Sequence, residues 1–295
     1  MNAKERGFLL LTSQLGDPGR KPMTVAQFRT LTSRATKMER PSQIGEMTAA
    51  DLVGLGYSRQ EAERILHLLN EEERLDAYLS RGRSVDCIPI SRVSADYPLS
   101  VRQRLGMDAP GCLWAKGDRS LLTTQTISLA GCRELREPNH AFAKRVGREA
   151  ARQGITLVSG NARGADRAAQ DACLENGGKV ISVVADELQK YPLQRNVLYL
   201  SEDSFDLPFV SYRALSRNRV IHALGYVTLI AQCDMGTGGT WDGTVKNLRH
   251  GWSPVFCFDD GSVAAAELEQ LGATLIREPQ LADFSALRPS EFRLL

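Results

Sequence analysis

From residue 126 onward, short apolar runs alternate with stretches whose apolar residues recur every three or four positions. The runs predict strands at 127–130, 155–158, 180–184, 226–231 and 254–258, with a last edge strand at 273–276. The periodic stretches predict helices at 139–153, where Phe142, Val146 and Ala150 fall at four-residue steps, and at 162–175, 212–224 and 240–250. Apolar strands separated by helices imply an α/β fold: a doubly wound, mostly parallel sheet covered on both faces. The tail after Ile276 shows no such pattern and reads as coil lying on the surface.

The first 80 residues read differently. Thr48 caps a short helix over 47–53, Gly54-Leu55-Gly56 interrupts it, and Ser58 restarts a helix carrying Ala62, Ile65, Leu66 and Leu69 on one face. Helix, glycine turn and helix resemble a helix-hairpin-helix or SAM-like unit. Its turn either offers backbone N–H groups to a DNA phosphate or serves a plain helical hairpin that packs on the next domain. Residues 81–125 form a connector with turn signals and some β character, including a short edge strand at 112–114. The chain thus divides into a helical domain (1–80), a connector (81–125) and an α/β domain (126–295).

With 295 residues and 42% hydrophobic content, the chain has material for a sizeable core. The formal net charge of +2 does not announce a polyanion partner, so any phosphate binding must come from local clustering. The six cysteines include no C-x-x-C pair, which points to reduced thiols in a cytoplasmic protein rather than a disulfide framework or a zinc site. Gly7-Phe8-Leu9-Leu10-Leu11 is too short for a signal sequence, and no apolar run approaches the ~20 residues that span a bilayer.

In a doubly wound sheet, ligands sit beyond the carboxyl ends of the strands. Three glycine-bearing junctions fall there: Gly131-Cys132-Arg133, the run from Ser159 and Gly160 through Arg163 and Gly164 to Asp166, and Gly236-Thr237-Gly238-Gly239-Thr240. Glycines admit close approach, and the free N–H groups of a first helical turn favour an anion. With Arg133 and Arg163 beside two of them, the junctions predict an anion pocket. A fourth element, Arg217-Asn218-Arg219, places its two arginines roughly 200° apart on a helix, so one must be partly buried and partnered. Asp166 and a bound phosphate are the candidate partners, and an internal ion pair is the competing reading for Arg219. Asp166 and Asp242 near helix starts are also explained by the helix dipole. The four histidines have no metal spacing, no nucleophile–base arrangement is evident, and no glycine loop ends in Gly-Lys-Ser/Thr. These residues give no reason to expect a metal, a cofactor or catalysis.

These motifs, together with Tyr97-Pro98, Leu113-Trp114-Ala115-Lys116-Gly117, Tyr191-Pro192 and Ser201-Glu202, resemble the DNA-processing protein A (DprA) family in order and spacing. The resemblance implies an extended Rossmann-like fold and a non-enzymatic protein that binds single-stranded DNA, dimerises and helps load the recombinase RecA. It also implies that Arg163 is the main phosphate contact. Departures are Cys132 in place of Ser/Thr, a shortened helix between Pro192 and Ser201, the Gly236–Gly243 loop and the lack of a C-terminal winged helix. That loop is also similar to the phosphate loop of lysine-decarboxylase-like phosphoribohydrolases, but Gly243 stands where their catalytic glutamate would be. The alternatives to DNA binding are a nucleotide-sensing protein on a related fold and a scaffold for a protein partner.

Overall fold

The computed structural model describes residues 1–36 and 47–288. Among these, nine strands form one sheet: β1 (Ile88–Ser91), β2 (Cys112–Gly117), β3 (Thr126–Ala130), β4 (Thr156–Ser159), β5 (Val180–Val184), β6 (Val197–Glu202), β7 (Thr228–Ile230), β8 (Val255–Phe258) and β9 (Thr274–Ile276). Their spatial order is β1-β2-β6-β5-β4-β3-β7-β8-β9. The seven strands from β6 to β9 are mutually parallel, and β1 and β2 add to the β6 side as antiparallel strands. From β3 the chain builds outward through β4, β5 and β6, then returns to place β7, β8 and β9 on the other side. The switch point therefore lies between β3 and β7, where open α/β sheets form their ligand crevice.

Twelve α-helices lie among the described residues. The N-terminal five are α1 (Ala3–Thr12), α2 (Val25–Ala35), α3 (Ala49–Gly54), α4 (Arg59–Leu69) and α5 (Glu72–Ser84). They are followed by α6 (Leu99–Leu105), α7 (Glu137–Arg152), α8 (Ala165–Glu175), α9 (Ser211–Ser216), α10 (Asn218–Leu224), α11 (Gly238–His250) and α12 (Val263–Gln270). Alternation along the strands decides which helices they meet. Leu157, Val180 and Val184 join Phe142, Val146 and Ala169 of α7 and α8. Val158, Ile181 and Val183 face the opposite way, toward Val220 and Ile221 of α10 and Val101 of α6. The N-terminal helices close a smaller core around Leu31, Leu52 and Ile65. Helix α1 serves both interiors: Phe8, Leu9 and Leu10 join the main core, while Leu11 joins the smaller one.

The strand at 112–114 is not at an edge, since β2 pairs with both β1 and β6. The segment read as a shortened helix before Ser201 contains β6, whose six residues are all buried. Its uninterrupted Val-Leu-Tyr-Leu run carries no alternation because both faces are covered. The helix predicted over 212–224 is two helices that meet at Arg217. Helices α6 and α12 were not anticipated. The tail after Ile276 is not loose surface coil: Leu281, Phe284 and Leu287 are buried against the main core, carried by short 3₁₀ turns. No helix among the described residues is long and apolar enough to cross a membrane.

Candidate anion-binding cleft at the switch point

The three glycine junctions converge where β3, β4 and β7 end. The first two are stitched together, because the Ala165 N–H at the start of α8 donates to Cys132 O at 3.2 Å. The first and third are joined by Cys132 N–H donating to Gln232 O at 3.0 Å. Gly164 lies tight against the first loop. It has φ +91°, and a Cβ there would stand 2.5 Å from Arg133 O. Only glycine fits.

Arg217 forms the floor. Just beyond the last β4–β5 pair, Ser159 with Ser182, the carbonyls of Gly160 and Val183 both accept from Arg217 Nη1. The guanidinium lies so close to the Gly160 backbone that a Cβ there would overlap it. Arg217 is only 7% exposed, and its Nε has no hydrogen-bond partner. Nearby, Asp166 accepts from the N–H groups of Gly160 at 3.1 Å and Ala162 at 3.2 Å. Burial raises the Asp166 pKa above the usual carboxylate range, opposed by the charge of Arg217 and the two amides. Asp166 is thus the internal counter-charge of Arg217 as well as a clamp on the loop that leads into α8.

Around this floor open two adjoining clefts, of about 640 Å³ and 500 Å³, that share Arg133, Ala162, Arg163, Phe209, Ala214 and Arg217. The larger also reaches Gly131, Asp166, Asn218, Gly238, Gly239 and Thr240, and the smaller reaches Gly160. Asn218 Nδ2 donates to Gly239 O at 2.9 Å and so ties α10 to the start of α11. Arg133 is exposed and makes no hydrogen bond or ion pair with any described residue. Arg163 forms a 3.0 Å pair with Glu134 in which both side chains are mostly exposed. Such a pair holds little energy and opens readily to a competing anion.

Three residues expected in the pocket lie elsewhere. Ser159 is fully buried and its Oγ accepts from Gln170 Nε2 at 2.5 Å. Gly164 stands behind the wall that it allows to close. Arg219 turns away from the cleft to a 2.8 Å ion pair with Glu202 and donates to Asp108 O. The internal ion pair is therefore the reading that holds for Arg219. Phe209 was missed, although it is 49% exposed and borders both clefts. A Phe-Val pair between Pro208 and the helix start, with no periodic partner, was the available signal. Asp242 is paired with Lys246 at 2.8 Å on α11, which blunts its repulsion of an anion.

The glycine turn between α3 and α4 has no amides to offer a phosphate. The N–H groups of Leu55, Gly56 and Tyr57 donate to carbonyls of α3, and that of Ser58 donates to Glu61. This is the plain hairpin. All six cysteines are free thiols, and among the described residues no group of His, Cys, Asp and Glu could hold a metal.

Two buried groups beside the cleft have opposite pH responses. Burial pushes Glu202 up to about 7 despite Arg219. Its proton is therefore held more tightly folded than unfolded, and its contribution to stability is complete below pH 4.5 and lost as pH rises to 7. Burial pushes His222, between α10 and α11, down to about 4. Its contribution is complete above pH 6.5 and lost as pH falls to 4. Each is on the order of 3 kcal/mol. Between pH 4.5 and 6.5 they oppose each other. Relative to the parent, Glu202→Gln is expected to gain stability with rising pH, and His222→Gln to lose it. Urea midpoints measured at pH 4.8, 5.6 and 6.4 check both signs.

The fold and this cleft define a doubly wound, Rossmann-like α/β protein with a cationic crevice at its switch point. The sequence model of DNA recombination-mediator protein A matches residues 89–281, and the chain belongs to that family. It is 29% identical over 192 residues to DNA processing protein DprA of Streptococcus pneumoniae, covering 60% of this chain and 68% of that protein. It is 26% identical over 189 residues to protein Smf of Escherichia coli, of which it covers 50%. It thus spans only part of the length of these relatives. The crystal structure of the pneumococcal DprA superposes with a TM-score of 0.69 at 22% identity, over 97% of this chain and 96% of that one. A DprA structure from Helicobacter pylori, described for its single-stranded DNA binding mode, superposes with a TM-score of 0.55 at 25% identity, over 64% of this chain and 90% of that one.

Proposed function

We propose that this protein binds single-stranded DNA in the switch-point cleft and acts in DNA processing and recombination. The observation that carries the reading is the floor of the cleft: a buried guanidinium with an N–H left unpartnered, beneath an unpaired Arg133 and a loosely paired Arg163. A cation kept in the interior and left partly unsatisfied beside an open cleft is suited to an anion from outside. The cleft is a trough walled by three loops, which suits a polymer backbone. The family membership and the H. pylori relative support the same reading.

The role is binding and not catalysis. Gly243 occupies the place of the phosphoribohydrolase glutamate and is packed against Asn218 and His222, so the site has no acid there for N-glycosidic chemistry. Work as a homodimer, in the cytoplasm where thiols stay reduced, and delivery of RecA to the bound strand complete the proposal.

The test is filter binding of a labelled oligothymidine at several salt concentrations. Affinity should fall with salt as phosphate contacts release counterions. Arg133→Ala and Arg163→Ala should each weaken binding by about 1.5–3 kcal/mol and flatten the salt slope. Salt-independent affinity, or two unaffected variants, would refute it. A nucleotide that raises the melting temperature while oligonucleotides do not would favour sensing.

A further inference from the structure

On the other side of α9 lies a separate recess of about 310 Å³, between the N-terminal helical unit and the sheet. Its walls include Gln14 and Leu15 after α1, Gly111 before β2, Asp203 after β6, and Tyr212 and Arg213 at the start of α9. None of the three glycine junctions contributes to it. Asp203 is held at φ +66°, a conformation that carries a cost for a non-glycine residue. Its own N–H donates to Cys112 O at 3.1 Å, and its carbonyl accepts from Trp114 Nε1 at 3.2 Å. The backbone is thereby locked, while the carboxylate, which burial holds above the usual carboxylate range against the charges of Arg219 and Arg213, accepts no hydrogen bond from any described residue.

Arg213 supplies the complementary group. It is 8% exposed. Its Nη1 and Nη2 donate to neutral oxygens, among them Ala185 O and Ser201 Oγ at 2.9 Å each. Its Nε donates to none of the described residues. The Asp203 charge and the Arg213 charge offset each other, so the recess suits a neutral polar ligand better than an ion. Tyr212, 70% exposed, presents its ring at the rim.

We propose that this recess is a nucleobase pocket that takes a guanine of the bound strand. Guanine presents two adjacent N–H donors, N1–H and the 2-amino group, to a carboxylate such as Asp203, and its O6 accepts from a donor such as Arg213 Nε. Tyr212 offers a face for stacking. Thymine has one N–H flanked by two carbonyl oxygens, which would set acceptor against acceptor at Asp203. The recess and the cleft adjoin across α9. Tyr212 and Arg213 also border a small gap with Ser216 and Arg217, and Arg217 is the floor of the cleft.

This inference rests on the cleft binding single-stranded DNA, and the experiment separates the two. Fluorescence anisotropy compares an oligothymidine with the same strand carrying one central guanine, for the parent, Asp203→Asn and Tyr212→Ala. The parent is expected to prefer the guanine strand about tenfold. Asp203→Asn should abolish the preference and leave oligothymidine affinity unchanged, with a thermal melt confirming that the variant is folded. Tyr212→Ala should reduce the preference without reversing it. Equal affinity of the parent for both strands, or a preference that survives in Asp203→Asn, overturns the nucleobase pocket and leaves the cleft reading standing. A parent that binds neither strand ends both.

Discussion

Arg217→Met is expected to cost about 3–5 kcal/mol of stability and to abolish binding in the cleft. Methionine has a similar reach but no charge and no donors. The substitution strands three groups at once: the carbonyls of Gly160 and Val183 lose their donor, and buried Asp166 loses its nearest cation. The two amides that Asp166 accepts remain, so the loop keeps part of its shape while the carboxylate is left uncompensated. Lysine would not rescue the site, because its one ammonium could serve the two carbonyls that Nη1 serves but would lack the separate Nε donor beside the cleft. Urea unfolding measures the effect as a lowered midpoint at unchanged slope. A loss below about 1 kcal/mol with full oligonucleotide affinity would show that the guanidinium supports neither the loop nor the ligand.

Gly164→Ala is expected to be nearly as damaging, by a different route. At φ +91° and ψ −127° the backbone occupies a region that side chains avoid, at a cost of about 1–3 kcal/mol. The new methyl group would also press on the carbonyls of Cys132 and Arg133, which are backbone atoms with little room to yield. Overpacking of this kind adds about 1–3 kcal/mol. Relief requires the first two loops to part, which breaks the Ala165–Cys132 hydrogen bond and separates Arg133 from Arg163. The variant should therefore lose both stability and affinity, measured by urea unfolding and by oligonucleotide titration. A fully stable Gly164→Ala that still binds would show that the two loops are not held by this approach.

The parallel core was readable because its strands are bounded by glycines and by helices with clear apolar stripes. Phe142, Val146 and Ala150 on α7 announced themselves by spacing and are buried as that spacing requires. Strand β6 was not readable, because a strand buried on both faces has no period, and its Tyr-Pro lead-in suggested a different element. The site was legible as far as backbone chemistry dictates it. Three glycine junctions at strand ends did come together, and Arg217 and Arg219 do turn to different partners, although the single helix on which the 200° spacing was reckoned breaks at Arg217. Spacing could not reveal which arginine faces inward. That depends on the β4–β5 ladder stopping at Ser159 and Ser182, which leaves the carbonyls of Gly160 and Val183 for Arg217, and on a distant Glu202 that claims Arg219. Ser159 failed for a similar reason. Its hydroxyl had a nearer partner in Gln170, one a motif match does not reveal.

Helix α1 has a consequence for any attempt to exchange parts of this molecule with those of a relative. Its successive leucines answer to two interiors, Leu10 to the sheet and Leu11 to the helical unit. A chimera cut after α5 would keep the helical unit intact but set foreign side chains against Phe8, Leu9 and Leu10. Ten residues at the start of the chain are therefore a shared inheritance of both halves, and grafting either half means transplanting that helix together with the surfaces it was fitted to.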